Sequence, residues 1–201
     1  MHMRTPHTDG EDAARLAEQV TLQDGSHVLI RPLLEQDRPS IVALFAGLSL
    51  ESRAQRFHSA GLRITPAVID LVTAGYVLVA TWDGVVVALA SFQPQHDLAM
   101  AEAAIVVADA EQRRGIGTAL TQRLVRDAWS AGIRQLRAEI VDSNRGVLAL
   151  LRTLGVPPTR HVHALGLITV EVQLRAVPGP LKETILGHSR YLALNPDLGH
   201  F

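Results

Sequence analysis

The stretch Ile105-Val106-Val107-Ala108-Asp109-Ala110-Glu111-Gln112-Arg113-Arg114-Gly115-Ile116-Gly117-Thr118 has the makings of an anion cradle. An apolar run ends, a polar loop follows, and two glycines spaced by one residue open an amphipathic segment. At a helix N-terminus several backbone N–H groups lack an internal partner, and the macrodipole is positive there. Glycine lets that backbone approach a phosphate closely. The same pattern also describes a tight strand-to-helix turn with solvated arginines, and Gly-x-Gly alone does not separate the two. A dinucleotide fingerprint needs a third glycine and a nearby acidic ribose partner. A P-loop needs Lys-Ser/Thr after the second glycine. Neither is present. From Gln112 to Arg160 nine arginines stand against Asp127, Glu139 and Asp142, a basic stretch suited to a ligand with several phosphates.

Upstream, Glu102 is the only charged residue between Asp97 and Asp109. A lone carboxylate on an apolar strand is costly to bury unless solvated or paired, and such a group can serve as a general base. Its plainer role is to solubilise the strand's wet end. Composition narrows the rest. With 201 residues, 47% hydrophobic and 19% charged, the chain is not disordered. No apolar run nears the roughly 18 to 20 residues of a membrane span, and the N-terminal stretch has no secretory core. The absence of cysteine removes disulfides, thiolate metal sites and a cysteine nucleophile. A net charge of −1 argues against a general nucleic-acid coat. The expected compartment is the cytoplasm.

The elements that must position these residues read as one α/β domain over 19–177, between a flexible tail over 1–18 and a second tail over 178–201. Alternation from Val20, the turn Asp24-Gly25 and the return to Arg31 predict a hairpin. Asp37 is the expected cap of a helix carrying Ile41, Leu44, Phe45 and Leu48. Glu51 to Phe57 makes a second short helix. Thr65-Pro66 opens a third, with Ile69 and Leu71-Val72 on its buried side and Gly75 as its stop. Tyr76 to Trp82 and Val85 to Gln93 pair across Asp83-Gly84, and Ala101 to Ala108 is a central strand. A helix from Ile116 to Ala131 turns Leu120, Leu124, Val125 and Ala128 inward. A strand over Gln135 to Val141, a helix from Asn144 to Leu154 ended by Gly155, and a strand over Leu167 to Arg175 follow. In the second tail, Tyr191, Leu192 and Leu194 could dock on the core or on a second subunit.

Gln112-Arg113-Arg114-Gly115-Ile116-Gly117 resembles the acetyl-CoA loop of the Gcn5-related N-acetyltransferases, with matching flanks through Asp142-Ser143-Asn144. The resemblance runs roughly from Val20 to Arg175. Asp24 to Leu33, Leu48 to Arg53, and Arg56-Phe57 look like the acetyltransferase domain of bacterial Pat-type protein-lysine acetyltransferases. It implies a mixed α/β fold with a mostly antiparallel central sheet, a splayed parallel pair and flanking helices. It also implies acetyl-CoA as cosubstrate and no metal. Backbone N–H groups of Gln112, Arg113, Arg114, Gly115, Ile116, Gly117 and Thr118 would hold the pyrophosphate. The strand edge at Ile105, Val106 and Val107 would pair with the pantetheine amides, and Asn144 would bond the pantetheine arm. A glutamate at the matching place is the general base in Pat-type enzymes, which carries that role to Glu102.

Acetyl transfer needs a neutral amine. A free lysine is neutral about once in 2,500 at pH 7, a penalty of roughly 4.6 kcal/mol, so a nearby base matters. Many family members protonate the leaving thiolate with a tyrosine after the matching asparagine. None lies between Tyr76 and Tyr191, so water serves or the thiolate leaves unassisted. The expected acceptor is a protein lysine. A small-molecule amine and a non-catalytic acyl-CoA sensor are the alternatives, and a homodimer is compatible with either.

Of the remaining candidates, His161-x-His163 lacks a third ligand nearby and reads as a surface strand. His58 reads equally as a helix end or an acceptor-site residue. Asp142-Ser143-Asn144 can cap a helix and still bind a ligand. Trp82 and Trp129 read as packing. Arg123 and Arg126 read as a solvated helix face, with the CoA 3′-phosphate as the alternative contact.

Overall fold

The computed structural model describes residues 10–97, 99–153, 158–162 and 166–175. One face of an eight-stranded sheet carries helix α5 (Ile116–Ser130) and α6 (Arg145–Thr153), and the opposite face carries α2 (Arg38–Gly47), α3 (Leu50–Phe57) and α4 (Pro66–Val72). The strands are β1 (Glu18–Thr21), β2 (His27–Pro32), β3 (Tyr76–Trp82), β4 (Val85–Pro94), β5 (Met100–Val107), β6 (Gln135–Val141), β7 (Thr159–Val162) and β8 (Leu167–Gln173), in the order β1-β2-β3-β4-β5-β6-β8-β7. All neighbours are antiparallel except β5 and β6.

Local chemistry explains most boundaries. Asp83 and Gly84 take φ of 48° and 79°, the paired left-handed geometry that a two-residue hairpin requires. The first hairpin is different. Its loop spans Leu22 to Ser26, closed by the Leu22 N–H on the Ser26 carbonyl at 2.8 Å. Asp24 there accepts from the Ser26 N–H at 3.0 Å and from its hydroxyl at 2.5 Å. Ser49 caps α3 by accepting from Ser52 N–H, and Thr65 caps α4 the same way from Val68 N–H. Gly75 has φ +76°, and an added Cβ would lie 2.6 Å from the Phe92 carbonyl oxygen, so the chain re-enters the sheet only with glycine there.

Three expectations need correction. Asp37 does not cap α2 with its side chain. Its carboxylate takes both forks of Arg31, at 2.6 and 2.8 Å, and the Leu34 N–H at 2.8 Å, a stronger set of partners than a helix end offers. Leu71 is 70% exposed, because the short α4 turns only Ile69 and Val72 onto the sheet. The chain is also ordered earlier than composition suggests. Gly10–Arg15 forms α1, and Ala13 and Leu16 are buried. Residues 1–9, Gly155, and the second tail with Tyr191, Leu192 and Leu194 lie outside the described residues.

The two cores use the residues that periodicity singles out. Leu120, Leu124, Val125 and Ala128 of α5 pack with Leu78, Ala90, Ala101 and Ile140 on one face. Ile41, Leu44, Phe45 and Leu48 join Val79, Leu89 and Val106 on the other. Among the described residues no helix is long and apolar enough to cross a membrane.

Candidate active site

The parallel pair opens the site. β5 and β6 are in register only at Met100 with Gln135, Ala101 with Leu136 and Glu102 with Arg137. Beyond Glu102 β5 stays with β4 and β6 stays with β8, so the two strands diverge. A cavity of about 670 Å³ lies in the gap. The Ala108 N–H donates to the Val87 carbonyl, and the Gln95 N–H to that of Met100. Strand alternation therefore turns the backbones of Glu102, Ala104 and Val106 toward β4, and those of Ala103, Ile105 and Val107 toward the gap. Val106 lines the cavity, but its side chain is in the core on the α2 side, so Ile105 and Val107 are the edge residues that face an extended ligand, Val107 with a carbonyl it shares with the Gln112 side chain.

At the far end of β5 the chain makes a 3-10 turn over Asp109–Glu111 and then enters α5. Arg113 has φ +62° and Gly115, the N-cap, φ +94°. No side chain caps α5, and the Ala119 N–H donates to the Gly115 carbonyl at 3.0 Å. The N–H groups of Gly115, Ile116, Gly117 and Thr118 thus have no acceptor within the helix. Gly117 is close-packed for another reason. A Cβ there would meet Leu150 Cδ1 at 3.3 Å and Val107 Cγ2 at 3.6 Å, at the junction of α5, α6 and β5.

Side chains fix this loop from both sides. Arg114 turns away from the cavity. Its guanidinium lies 3.7 Å from the Trp82 ring centroid, meets Asp24 at 2.8 Å and Glu111 at 2.6 Å, and donates to Ser26. Only its main chain is placed to serve a ligand. The Gln112 side-chain amide donates to the Val107 carbonyl at 3.2 Å and to Ser52 Oγ at 3.3 Å. Asp109 accepts from Ser49 N–H, Ser49 Oγ and Ser52 Oγ. Partial burial pushes the Asp109 carboxyl up, but the hydrogen bonds from Ser52 and Ser49 outweigh it and hold the group below the ordinary carboxylate range. The loop and the start of α3 are thereby one hydrogen-bonded unit.

Among the described residues, Arg114, Arg123 and Arg126 of the basic stretch are neutralised internally. Arg123 is 7% exposed, bound through Nε to both oxygens of Asp127 and through Nη1 to Glu18, which corrects its assignment to a solvated face. Arg126 also meets Glu18, and Arg134 stacks on Trp129 at 3.9 Å. Arg113 and Arg145 are exposed on the cavity wall with no ion pair among the described residues.

Asn144 lies at the cavity wall opposite the loop. Its Oδ1 accepts from Val147 N–H at 3.1 Å as the cap of α6, while no protein acceptor among the described residues takes its amide N–H. Glu102 is exposed beside the cavity, on the sheet face that carries α3, and Arg56 of α3 is within its electrostatic reach. Tyr76 is no candidate acid. Its hydroxyl donates to Asp127 at 2.7 Å on the α5 side, and burial, reinforced by Asp127, pushes the phenol well above its usual value. His58 is the left-handed residue after α3 and is exposed. His161 falls on β7, and His163 lies outside the described residues.

Of the residues singled out from the sequence, Ile105, Val106, Val107, Gln112, Arg113, Gly115, Gly117, Thr118 and Asn144 line one cavity. Ile116 is in the core behind it, offering only its N–H. Comparison with known proteins now decides the family. The acetyltransferase (GNAT) family model matches residues 43–156, more than half of the chain. The chain belongs to the acetyltransferase (GNAT) family.

Membership makes it an N-acetyltransferase of a family that uses acetyl-CoA as cosubstrate. An acetyltransferase of Pseudomonas aeruginosa is 29% identical over 144 residues, covering 67% of this chain and 77% of that protein. The GNAT domain of S. lividans PAT superposes with a TM-score of 0.73 at 25% identity, covering 80% of this chain and 98% of that one. A cAMP-binding acyltransferase from Mycobacterium smegmatis shares the fold, with a TM-score of 0.55 at 24% identity, covering 90% of this chain and 55% of that one. Among the described residues no group of three or more His, Cys, Asp or Glu is arranged to hold a metal ion. Ser49, Ser52, Asp109 and Arg56 were not singled out as site residues. Ser49-x-x-Ser52 at a helix start was a readable cap, but its link to Asp109 spans 57 to 60 residues.

Proposed function

We propose that this GNAT enzyme transfers an acetyl group from acetyl-CoA to an amine, preferably a protein lysine, by direct attack with Glu102 as general base. The observation that carries the reading is the gap between β5 and β6, with the uncapped start of α5 at one end and Glu102 at the other. In this reading the N–H groups from Arg113 to Thr118 receive the pyrophosphate, with Gly115 to Thr118 supplying the free donors, whereas the Gln112 N–H is held by the Asp109 carbonyl at 3.4 Å. Arg113 and Arg145 add positive charge. The Ile105 and Val107 backbones and the Asn144 amide align the pantetheine arm. Glu102 takes a proton from the ammonium and passes it to solvent, the neutral amine forms the new C–N bond, and the C–S bond breaks. The surplus proton on the nitrogen goes to the leaving thiolate through water, so the products are the amide and the free thiol. The likeness to the S. lividans PAT domain supports a protein-lysine acceptor.

The test is thiol release from acetyl-CoA in the presence of a lysine-bearing protein, for the native chain and Glu102→Gln. A general base contributes roughly 10²- to 10⁴-fold, so the variant should lose that much kcat while its KM for acetyl-CoA holds. Equal rates in both forms would remove Glu102 from the mechanism.

A further inference from the structure

Arg56 sits in the last turn of α3, at the wall of the same cavity. Its Nε is buried without a hydrogen-bond partner. Among the described residues its guanidinium makes no hydrogen bond or ion pair at all, only a contact 5.2 Å from the Phe57 ring centroid. Other arginines of the fold are engaged: Arg31 by Asp37, Arg114 by Asp24 and Glu111, Arg123 by Asp127. Arg53 shares a buried, unpartnered Nε, yet its Nη2 donates to the Ala46 carbonyl at 2.7 Å. Burial holds the Arg56 guanidinium below the usual arginine range, and Glu102 offsets this in part. Arg137 and Glu139 stand on the same sheet face but are exposed and already solvated.

A guanidinium presents five donors in a planar fork matched to a carboxylate, and one whose Nε is buried without an oxygen partner is unfavourable. Beside it Glu102 is the complementary group for an ammonium. We propose that Arg56 binds a carboxylate carried by the acceptor close to the amine that Glu102 deprotonates. The acceptor is therefore locally zwitterionic: a lysine flanked by Asp or Glu in a peptide, or a free amino acid with its own carboxylate. This inference rests on the acetyl-transfer reading of the site. It makes Arg56 a specificity residue.

Thiol release from acetyl-CoA is measured with two matched pairs, an acetylated and amidated Glu-Lys peptide against its Gln-Lys twin, and alanine against alaninamide. In the native chain kcat/KM should favour the carboxylate member of one pair by roughly 10- to 100-fold, the range for a charged hydrogen bond. The pair that shows the gap identifies the source. Arg56→Gln should close the gap by raising KM for the carboxylate member, and Arg56→Lys should restore part of it. Equal kcat/KM within both pairs in the native chain would overturn the inference without touching acetyl transfer, and so would a gap of native size in Arg56→Gln. No thiol release from any of the four acceptors would instead refute the acetyl-transfer reading, and the inference with it.

Discussion

Replacing Gly115 with alanine tests why glycine stands at the head of α5. An added Cβ there meets nothing within 4 Å, so any cost is conformational and not steric. At φ +94° an L-residue is strained by roughly 1–2 kcal/mol. The entropy that alanine removes from the unfolded chain, about 0.4–1 kcal/mol, offsets part of this. Net destabilisation should be about 1 kcal/mol, a fall in Tm of about 2–4 °C for a chain of this size. If the strain is relieved by tilting the peptide, one N–H leaves the ligand's reach, and CoA should bind roughly 10- to 100-fold more weakly. Gly117→Ala is the control, because its backbone is ordinary helix and alanine favours helix by about 1 kcal/mol. Its methyl falls instead against Leu150 and Val107 at the cavity, so folding should hold while CoA affinity drops. Thermal melts and calorimetric titration with CoA read both quantities. Gly115→Ala melting and binding like the native chain would refute the reasoning, and Gly115→Asn, which tolerates left-handed φ, should lie between.

Three further outcomes follow from the same geometry. Asp24 should titrate at about 2, because the Ser26 hydroxyl, then the Ser26 N–H, then Arg114 favour its charged form. Its folded value lies below its unfolded one, so its contribution is fully present above about pH 4 and is lost as pH falls through about 2. A carboxyl NMR midpoint near 4 would contradict this, and Ser26→Ala should raise it. Tyr76→Phe leaves buried Asp127 one donor short and should cost about 1–2 kcal/mol in denaturant unfolding. An unchanged midpoint would show that the hydroxyl is not needed. Ser52→Ala removes one of three hydrogen bonds that tie Asp109 to the start of α3, together with the Gln112 contact to α3, and should destabilise by about 1 kcal/mol. Its KM for acetyl-CoA should rise, whereas an unchanged KM would mean that α3 does not steady the loop.

How far the sequence could be read depended on the range of each determinant. Asp83-Gly84 specifies its hairpin because two adjacent left-handed residues suffice. The cores of α2 and α5 followed from helical spacing, which local burial obeys. Asp37 and Arg123 depart from the local pattern because of partners outside it, and Leu71 because the seven-residue α4 turns only Ile69 and Val72 inward. Arg31 lies six residues from Asp37 across a turn, and Arg123 is drawn inward by Asp127, itself held by Tyr76 51 residues away. The gap between β5 and β6 left no mark on periodicity, since β5 keeps its apolar run from Ala103 to Val107, and β6 its alternation through Leu136, Ala138 and Ile140, past the point of divergence. Its contents were legible only through the glycine pattern and the resemblance that this pattern supports. Arg56 belongs to the Arg56-Phe57 motif, but its missing partners are a property of the packed site.

The central claim, that the first amides of α5 seize the pyrophosphate, is tested most directly by following backbone N–H resonances during a CoA titration. The account predicts saturable downfield shifts confined chiefly to Gly115, Ile116, Gly117 and Thr118. CoA binding that leaves those four resonances unmoved, or no binding at all, would contradict it.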